Sequence, residues 1–215
     1  MIRLQKAPKP GILETNEAAW TKEFLDTLAG NGMIPDAIRY RYRHPEIKAA
    51  LLSEACDKCI YCEQKISPGE TDHILPVSGR PELLVAWTNL GLACKDCNTY
   101  KGAYYSETEP MLNPFIDDPT EHLLFFGPLV MSQIGDQLGF RTVEQLRLHR
   151  MQLVERRKER IERLQALLEQ WNSMPDGATK ELVKNKILEE AGRDREYSAI
   201  VREYLYQALG WAVED

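Results

Sequence analysis

Two Cys-x-x-Cys pairs, Cys59 with Cys62 and Cys94 with Cys97, are the residues of this chain whose type and spacing most directly specify chemistry. Each pair sets two sulfurs on one tight turn, and two such knuckles supply the four thiolates of a tetrahedral zinc site. Four sulfurs saturate the ion and leave no open position, so the expected zinc is structural. Cys56, three residues before Cys59, makes a second Cys-x-x-Cys with it, and spacing alone leaves that alternative ligand open. The gap between the knuckles is longer than a bare ribbon needs. It carries Asp72-His73-Ile74 and Asn89, and the second knuckle runs on into Asn98 and Lys101. A histidine that titrates near neutrality can take a proton from water. A carboxylate and an amide oxygen suit a hard divalent ion.

Together, Asp72-His73-Ile74-x-Pro76, Trp87-x-Asn89-Leu90 and Cys97-Asn98-x-x-Lys101 resemble the motif of HNH endonucleases, a ββα-metal site wrapped in zinc knuckles. The three letters fall on His73, Asn89 and Asn98. Met1-Ile2-Arg3-Leu4 with Lys6, Trp20-Thr21 and Tyr42-Arg43-His44-Pro45 extend the likeness over most of the chain, which resembles the HNH subunit of Septu-type and retron-associated anti-phage systems. The resemblance implies a metal-dependent endonuclease that works with an ABC or SMC-like ATPase. It implies His73 as the base that activates water, Asp72 and Asn98 as holders of magnesium or manganese, and Asn89 as the residue tying its loop to the histidine's backbone. DNA is the favoured substrate. Cleavage of tRNA, as in retron-linked versions, is the alternative, and a zinc-stabilised binding module without catalysis is a third reading, although such a module needs none of Asp72, His73, Asn89 and Asn98. Two departures from the common motif stand out. Ser78-Gly79-Arg80-Pro81 replaces the usual glycine pair, and the third letter is Asn98 rather than histidine, which favours magnesium or manganese over nickel or zinc at the catalytic position.

Positioning these residues requires a larger body. The chain has 215 residues and a net charge of −6, which argues against a surface that grips nucleic acid everywhere and for local or shared substrate binding. The N-terminus lacks the apolar core of a signal peptide and no apolar run is long enough to span a bilayer, so a cytoplasmic location is expected. There thiols stay reduced, and paired Cys-x-x-Cys spacings read as metal ligands. The expected fold is α+β and predominantly helical, an HNH core embedded in helices, divided into an N-terminal arm and helices (1–55), the zinc-stabilised module (56–106) and a C-terminal hairpin with helices (107–215).

Lys6, Lys9 and the prolines of the first residues suit an extended arm, packed on its own domain or serving as a partner strap. Trp20, Phe24, Leu25 and Leu28 give an amphipathic helix over 17–29 that ends at Gly30-Asn31-Gly32, and a second helix is expected over 45–55. Between them Arg39, Arg41 and Arg43 interleave with Tyr40 and Tyr42. Such a patch suits phosphates and bases, or equally a solvated face over core tyrosines. Lys101, one turn after Asn98, suits a phosphate contact or plain solvation. Downstream, 123–126 and 129–130 suggest a hairpin, with His122 beside it as a structural hydrogen bonder. Thr142-Val143-Glu144-Gln145 reads as a capping box that opens a helix running to about Trp171. The alternating charges around Arg156-Arg157-Lys158 read as that helix's solvated face, with phosphate binding as the sharper alternative. Two more helices are expected over 180–191 and 196–209.

Overall fold

The computed structural model describes residues 1–30 and 33–213. The N-terminal arm runs through the core rather than over the surface: Met1, Ile2 and Leu4 are buried, and the Leu4 N–H bonds the Pro114 carbonyl at 2.7 Å. Lys6 reaches Glu54 at 2.8 Å and the Leu90 carbonyl at 2.7 Å, with its ammonium 3.8 Å from the Trp87 ring centroid. Burial of its apolar side chains packs this arm against its own chain. Helix α1 (Gly11–Ala29) starts before the expected residue 17. Its first turn borrows a cap from a distant element, since Glu46 Oε1 accepts the Ile12 N–H at 2.9 Å. The expected stop at Asn31 and Gly32 lies outside the described residues. A short α2 (Asp36–Arg39) and a single 3-10 turn over Arg41–Arg43 lead into α3 (Pro45–Glu54), which carries proline at its first position and the His44 ring as N-cap.

Strands β1 (Glu70–His73) and β2 (Leu90–Ala93) pair antiparallel, with Asp72 opposite Gly91 and His73 opposite Leu90, and α4 (Lys95–Lys101) follows directly. Gly91 leaves room for the first knuckle: a Cβ at that position would stand 2.4 Å from Ile60 Cδ1, so the Ile60 side chain would have to turn aside. After α5 (Pro119–His122) comes a hairpin of β3 (Leu123–Phe126) and β4 (Leu129–Ser132) that turns Leu123, Phe125 and Val130 inward. His122 Nδ1 lies 2.6 Å from Asp136 Oδ2.

The helix expected from Thr142 is two helices, α6 (Gln137–Gln145) and α7 (Met151–Asn172). Asp136 is the real cap, accepting the N–H groups of Leu138 at 2.9 Å and Gly139 at 3.2 Å. Thr142 is buried inside α6, where its hydroxyl donates to the Leu138 carbonyl and accepts the Leu112 N–H, both at 2.8 Å. Arg147, at φ 47°, ends the first helix. α8 (Ala178–Glu189) and α9 (Ser198–Leu209) complete the chain. The charged stripe of α7 is not wholly solvated: Arg157 is 2% exposed, and Arg160 pairs with Glu190 at 2.6 Å. A main core holds residues from Met1 to Ile200, so the three stretches 1–55, 56–106 and 107–215 share it, and a smaller cluster joins α7, α8 and α9 through Leu164, Ile187 and Val201. The architecture is α+β and mostly helical, with its sheets confined to the ββα unit and the hairpin. No helix among the described residues is long and apolar enough to cross a membrane.

Candidate active site and metal centre

The knuckles converge. The first is a tight turn after α3, pinned to β2 by the Ile60 N–H on the Leu92 carbonyl at 2.9 Å. The second is the start of α4, where Cys94 is the N-cap and its sulfur accepts the Cys97 N–H at 3.4 Å. All four Sγ atoms of Cys59, Cys62, Cys94 and Cys97 lie within 4.8 Å of one another and all four residues are buried. The Cys62 and Cys94 sulfurs are 3.8 Å apart. Zinc–sulfur bonds of about 2.3 Å place the corners of a tetrahedron roughly 3.8 Å apart, so the donor set fits a four-thiolate ion. Burial pushes the Cys59 thiol well up, and its sulfur neighbours add to that. Cys56 stands outside this cluster, partly exposed and at φ 51°.

The cleft beside the knuckles, about 680 Å³, is lined by Asp72, His73, Asn98, Lys101 and Leu84 on the ββα side and by Arg39, Tyr40 and Tyr42 opposite. A cavity of about 760 Å³ lies elsewhere, between the β3–β4 hairpin and α9, and holds none of the motif residues. His73 is the last residue of β1, where the strand ends and its side chain is free of the sheet's alternation. Its Nε2 lies 2.7 Å from the Leu84 carbonyl. A carbonyl only accepts, so Nε2 carries the proton, and in the neutral ring Nδ1 keeps the lone pair. Burial lowers the His73 pKa, against the opposing pull of the Leu84 carbonyl and Asp72, and the imidazole is neutral at neutral pH. The Tyr42 ring meets it edge-on, centroids 4.5 Å apart at 70°.

Asp72 is 4% exposed and already engaged: Lys101 Nζ donates to Oδ1 at 3.0 Å and the Tyr61 hydroxyl to Oδ2 at 2.6 Å. Lys101 also donates to the His73 carbonyl at 2.6 Å and is 2% exposed. Lys101, read as a phosphate contact or a solvated lysine, is buried here and engaged within the module. Its ammonium is spent inside the module, fixing the Asp72-His73 dipeptide. Asn89 bonds the loop at Leu75, accepting its N–H at 2.8 Å and donating to its carbonyl at 2.9 Å, two residues beyond the histidine rather than at it. Asn98 Nδ2 donates to Glu70 Oε2 at 2.7 Å. Of the three arginines, Arg39 lines the cleft; Arg41 pairs with Glu23 at 2.8 Å, and Arg43 stacks 4.2 Å from the Tyr40 centroid.

Several site residues escaped the sequence reading. Glu70 had a usable signal, because alternation on a strand puts it on the same face as Asp72. Tyr61 and the Leu84 carbonyl had none: the first is hidden between two cysteines and the second is backbone.

Residues 59–103 match the HNH endonuclease family. The chain is 32% identical over 225 residues to the Septu protein PtuB of Bacillus thuringiensis, an alignment that covers 96% of this chain and 82% of that one. It is 28% identical to the Septu protein PtuB of Bacillus mycoides (strain KBAB4), over 73% of this chain and 66% of that relative. A ββα unit between converged knuckles, inside an alignment that takes in nearly every residue, leads to one conclusion: the chain belongs to the Septu PtuB family and carries an HNH endonuclease domain.

Proposed function

We propose that the chain hydrolyses nucleic-acid phosphodiesters, with DNA the favoured substrate, as the nuclease of an anti-phage system in which it works with an ABC or SMC-like, PtuA-like ATPase. The observation that carries this reading is the state of His73: a neutral imidazole whose Nε2 proton is committed to Leu84, leaving Nδ1 as the base, in a cleft with Asp72 and Asn98. Nδ1 takes the proton of an attacking water, a step worth about 10²- to 10⁴-fold in rate. Asp72, beside it in sequence, favours the imidazolium that results. Lys101 and Asn89 hold the dipeptide and its loop so that the ring does not swing.

A hard ion in this cleft would take oxygen donors from Asp72 and Asn98. Asp72 retains lone pairs beyond its two hydrogen bonds, and Asn98 offers Oδ1. These two would hold magnesium or manganese, which when bound supplies neutralisation of the phosphate and of the departing 3′ oxygen. Arg39, Tyr40 and Tyr42 form the facing wall, where a cation and two rings suit a phosphate and its neighbouring base. Zinc at the four cysteines has a structural task.

The test is a cleavage assay on plasmid DNA and on total tRNA, with magnesium and with or without the ATPase partner. DNA is expected to be cut, with the rate falling about 100-fold or more in His73→Ala while zinc content and fold stay intact. Cleavage of tRNA alone would replace the substrate, and no cleavage of either under all four conditions would overturn the enzymatic reading.

A further inference from the structure

Two arginines of the C-terminal half are buried with their charges where the nuclease chemistry does not use them. Arg150, between α6 and α7, is 8% exposed, and Arg157, on α7, is 2% exposed. Arg150 NH1 donates to the carbonyls of Leu146 at 3.1 Å and Arg147 at 3.3 Å, while NH2 points into the cysteine cluster, 3.5 Å from Cys97 Sγ and 4.0 Å from Cys94 Sγ. Arg157 NH1 donates to the Leu148 carbonyl at 2.6 Å. The buried carboxylate of Glu63 is already matched by the Met1 α-amino group at 2.6 Å and by Lys58 at 3.7 Å. Buried guanidiniums are costly unless an anion faces them. Beside Arg150 the anion is the sulfur cluster. A divalent ion on four thiolates carries two net negative charges, and the Arg150 guanidinium offsets one of them.

We infer that Arg150 is the charge partner of the four-cysteine metal centre, and that this pairing fastens the C-terminal helices to the HNH helix. The inference rests on the reading of the four cysteines as a metal site and is independent of the nuclease reading. The fastening is visible around the sulfurs. Arg147 lies 4.7 Å and Arg150 5.7 Å from the Tyr100 ring centroid, and Gln145 Nε2 donates to the Tyr100 carbonyl at 2.7 Å. Tyr100 belongs to α4, the helix that also presents Cys97 and Asn98. One turn of chain therefore touches the metal ligands, the helix and its last carbonyls.

The experiment loads full-length wild type, Arg150→Met, Arg150→Gln and Arg150→Lys with zinc, measures metal per chain, and follows zinc release to a chromogenic chelator at neutral pH. Outer partners of metal ligands typically carry about 10- to 100-fold in affinity. Arg150→Met and Arg150→Gln are expected to release zinc at least about 10-fold faster than wild type, with Arg150→Lys within about 3-fold because it keeps the charge. Amide exchange in α4 should rise in step with release. If Arg150→Met yields no folded protein, the Gln and Lys variants decide alone. Equal release from all variants overturns the inference, and so does release from Arg150→Lys as fast as from Arg150→Gln, which would assign Arg150 to packing. Absence of zinc from the wild type overturns the metal reading beneath it, and the initial metal measurement separates that failure from the others.

Discussion

At the scale of single residues, the site depends on a lysine that looks like surface and is not. Lys101 and Asp72 form an ion pair 2% and 4% exposed at the side chains, closed by the Tyr61 hydroxyl. Breaking a buried pair strands the other charge, at a cost of about 3–5 kcal/mol. Lys101→Met is therefore expected to lose about that much stability in urea unfolding; a stable variant with weaker substrate binding would restore Lys101 to the surface role that its position after Asn98 suggests. That His73 and Asn98 would share one cleft was legible because the motif is local and its spacing is its content. Lys101 was not, since a lysine in the last turn of a helix reads the same in sequence whether water or Asp72 faces it. The burial comes from Tyr61, whose position between Cys59 and Cys62 acquires meaning only when the knuckle folds onto β1 and β2.

At the scale of elements, the cysteine spacing was the strongest predictor and the capping box the weakest. Cys-x-x-Cys specifies a turn by itself, whereas the Thr142 hydroxyl had two uses and the choice between them was made by Leu112, thirty residues upstream in the folded chain. The metal assignment predicts about one zinc per chain by elemental analysis, kept in His73→Ala and in Cys56→Ser and lost in Cys94→Ser. Retention of zinc in Cys94→Ser would contradict it. The true cap of α6 gives a second prediction. Asp136→Ala should cost about 1–2 kcal/mol of stability at neutral pH. Burial pushes the Asp136 carboxyl up, but the Gly139 N–H, the His122 ring and the Leu138 N–H outweigh it and hold the pKa below its ordinary value. A depressed carboxylate stabilises fully above its unfolded pKa and loses that contribution as pH falls through the folded one. The stability gap between wild type and Asp136→Ala should accordingly narrow as pH is lowered through the acidic range. A gap that stays constant with pH would mean that the charge of Asp136 contributes nothing.

At the scale of the whole molecule, assembly of the site draws on the N-terminal arm. Lys6, from the arm, holds the Leu90 carbonyl, and Leu90 is the register partner of His73. The sequence showed an extended arm but not its path, because prolines and lysines suit a buried thread and a loose strap alike. Removing residues 1–10 is thus expected to lower the melting temperature and the zinc content together, seen by circular dichroism and metal analysis, and not merely to loosen a partner. A truncated chain that melts and binds zinc like wild type would contradict this. The net charge of −6 argues against sequence-independent grip over the whole surface. The most direct test of the central claim, that His73 activates water against a phosphodiester, is single-turnover cleavage in heavy-oxygen water by wild type and His73→Ala, with the ATPase present. The account predicts heavy oxygen on a 5′-phosphate, a free 3′-hydroxyl, and a rate about 100-fold or more lower in the variant. A 2′,3′-cyclic phosphate, an unlabelled 5′ end, or a His73→Ala variant as fast as wild type would contradict it.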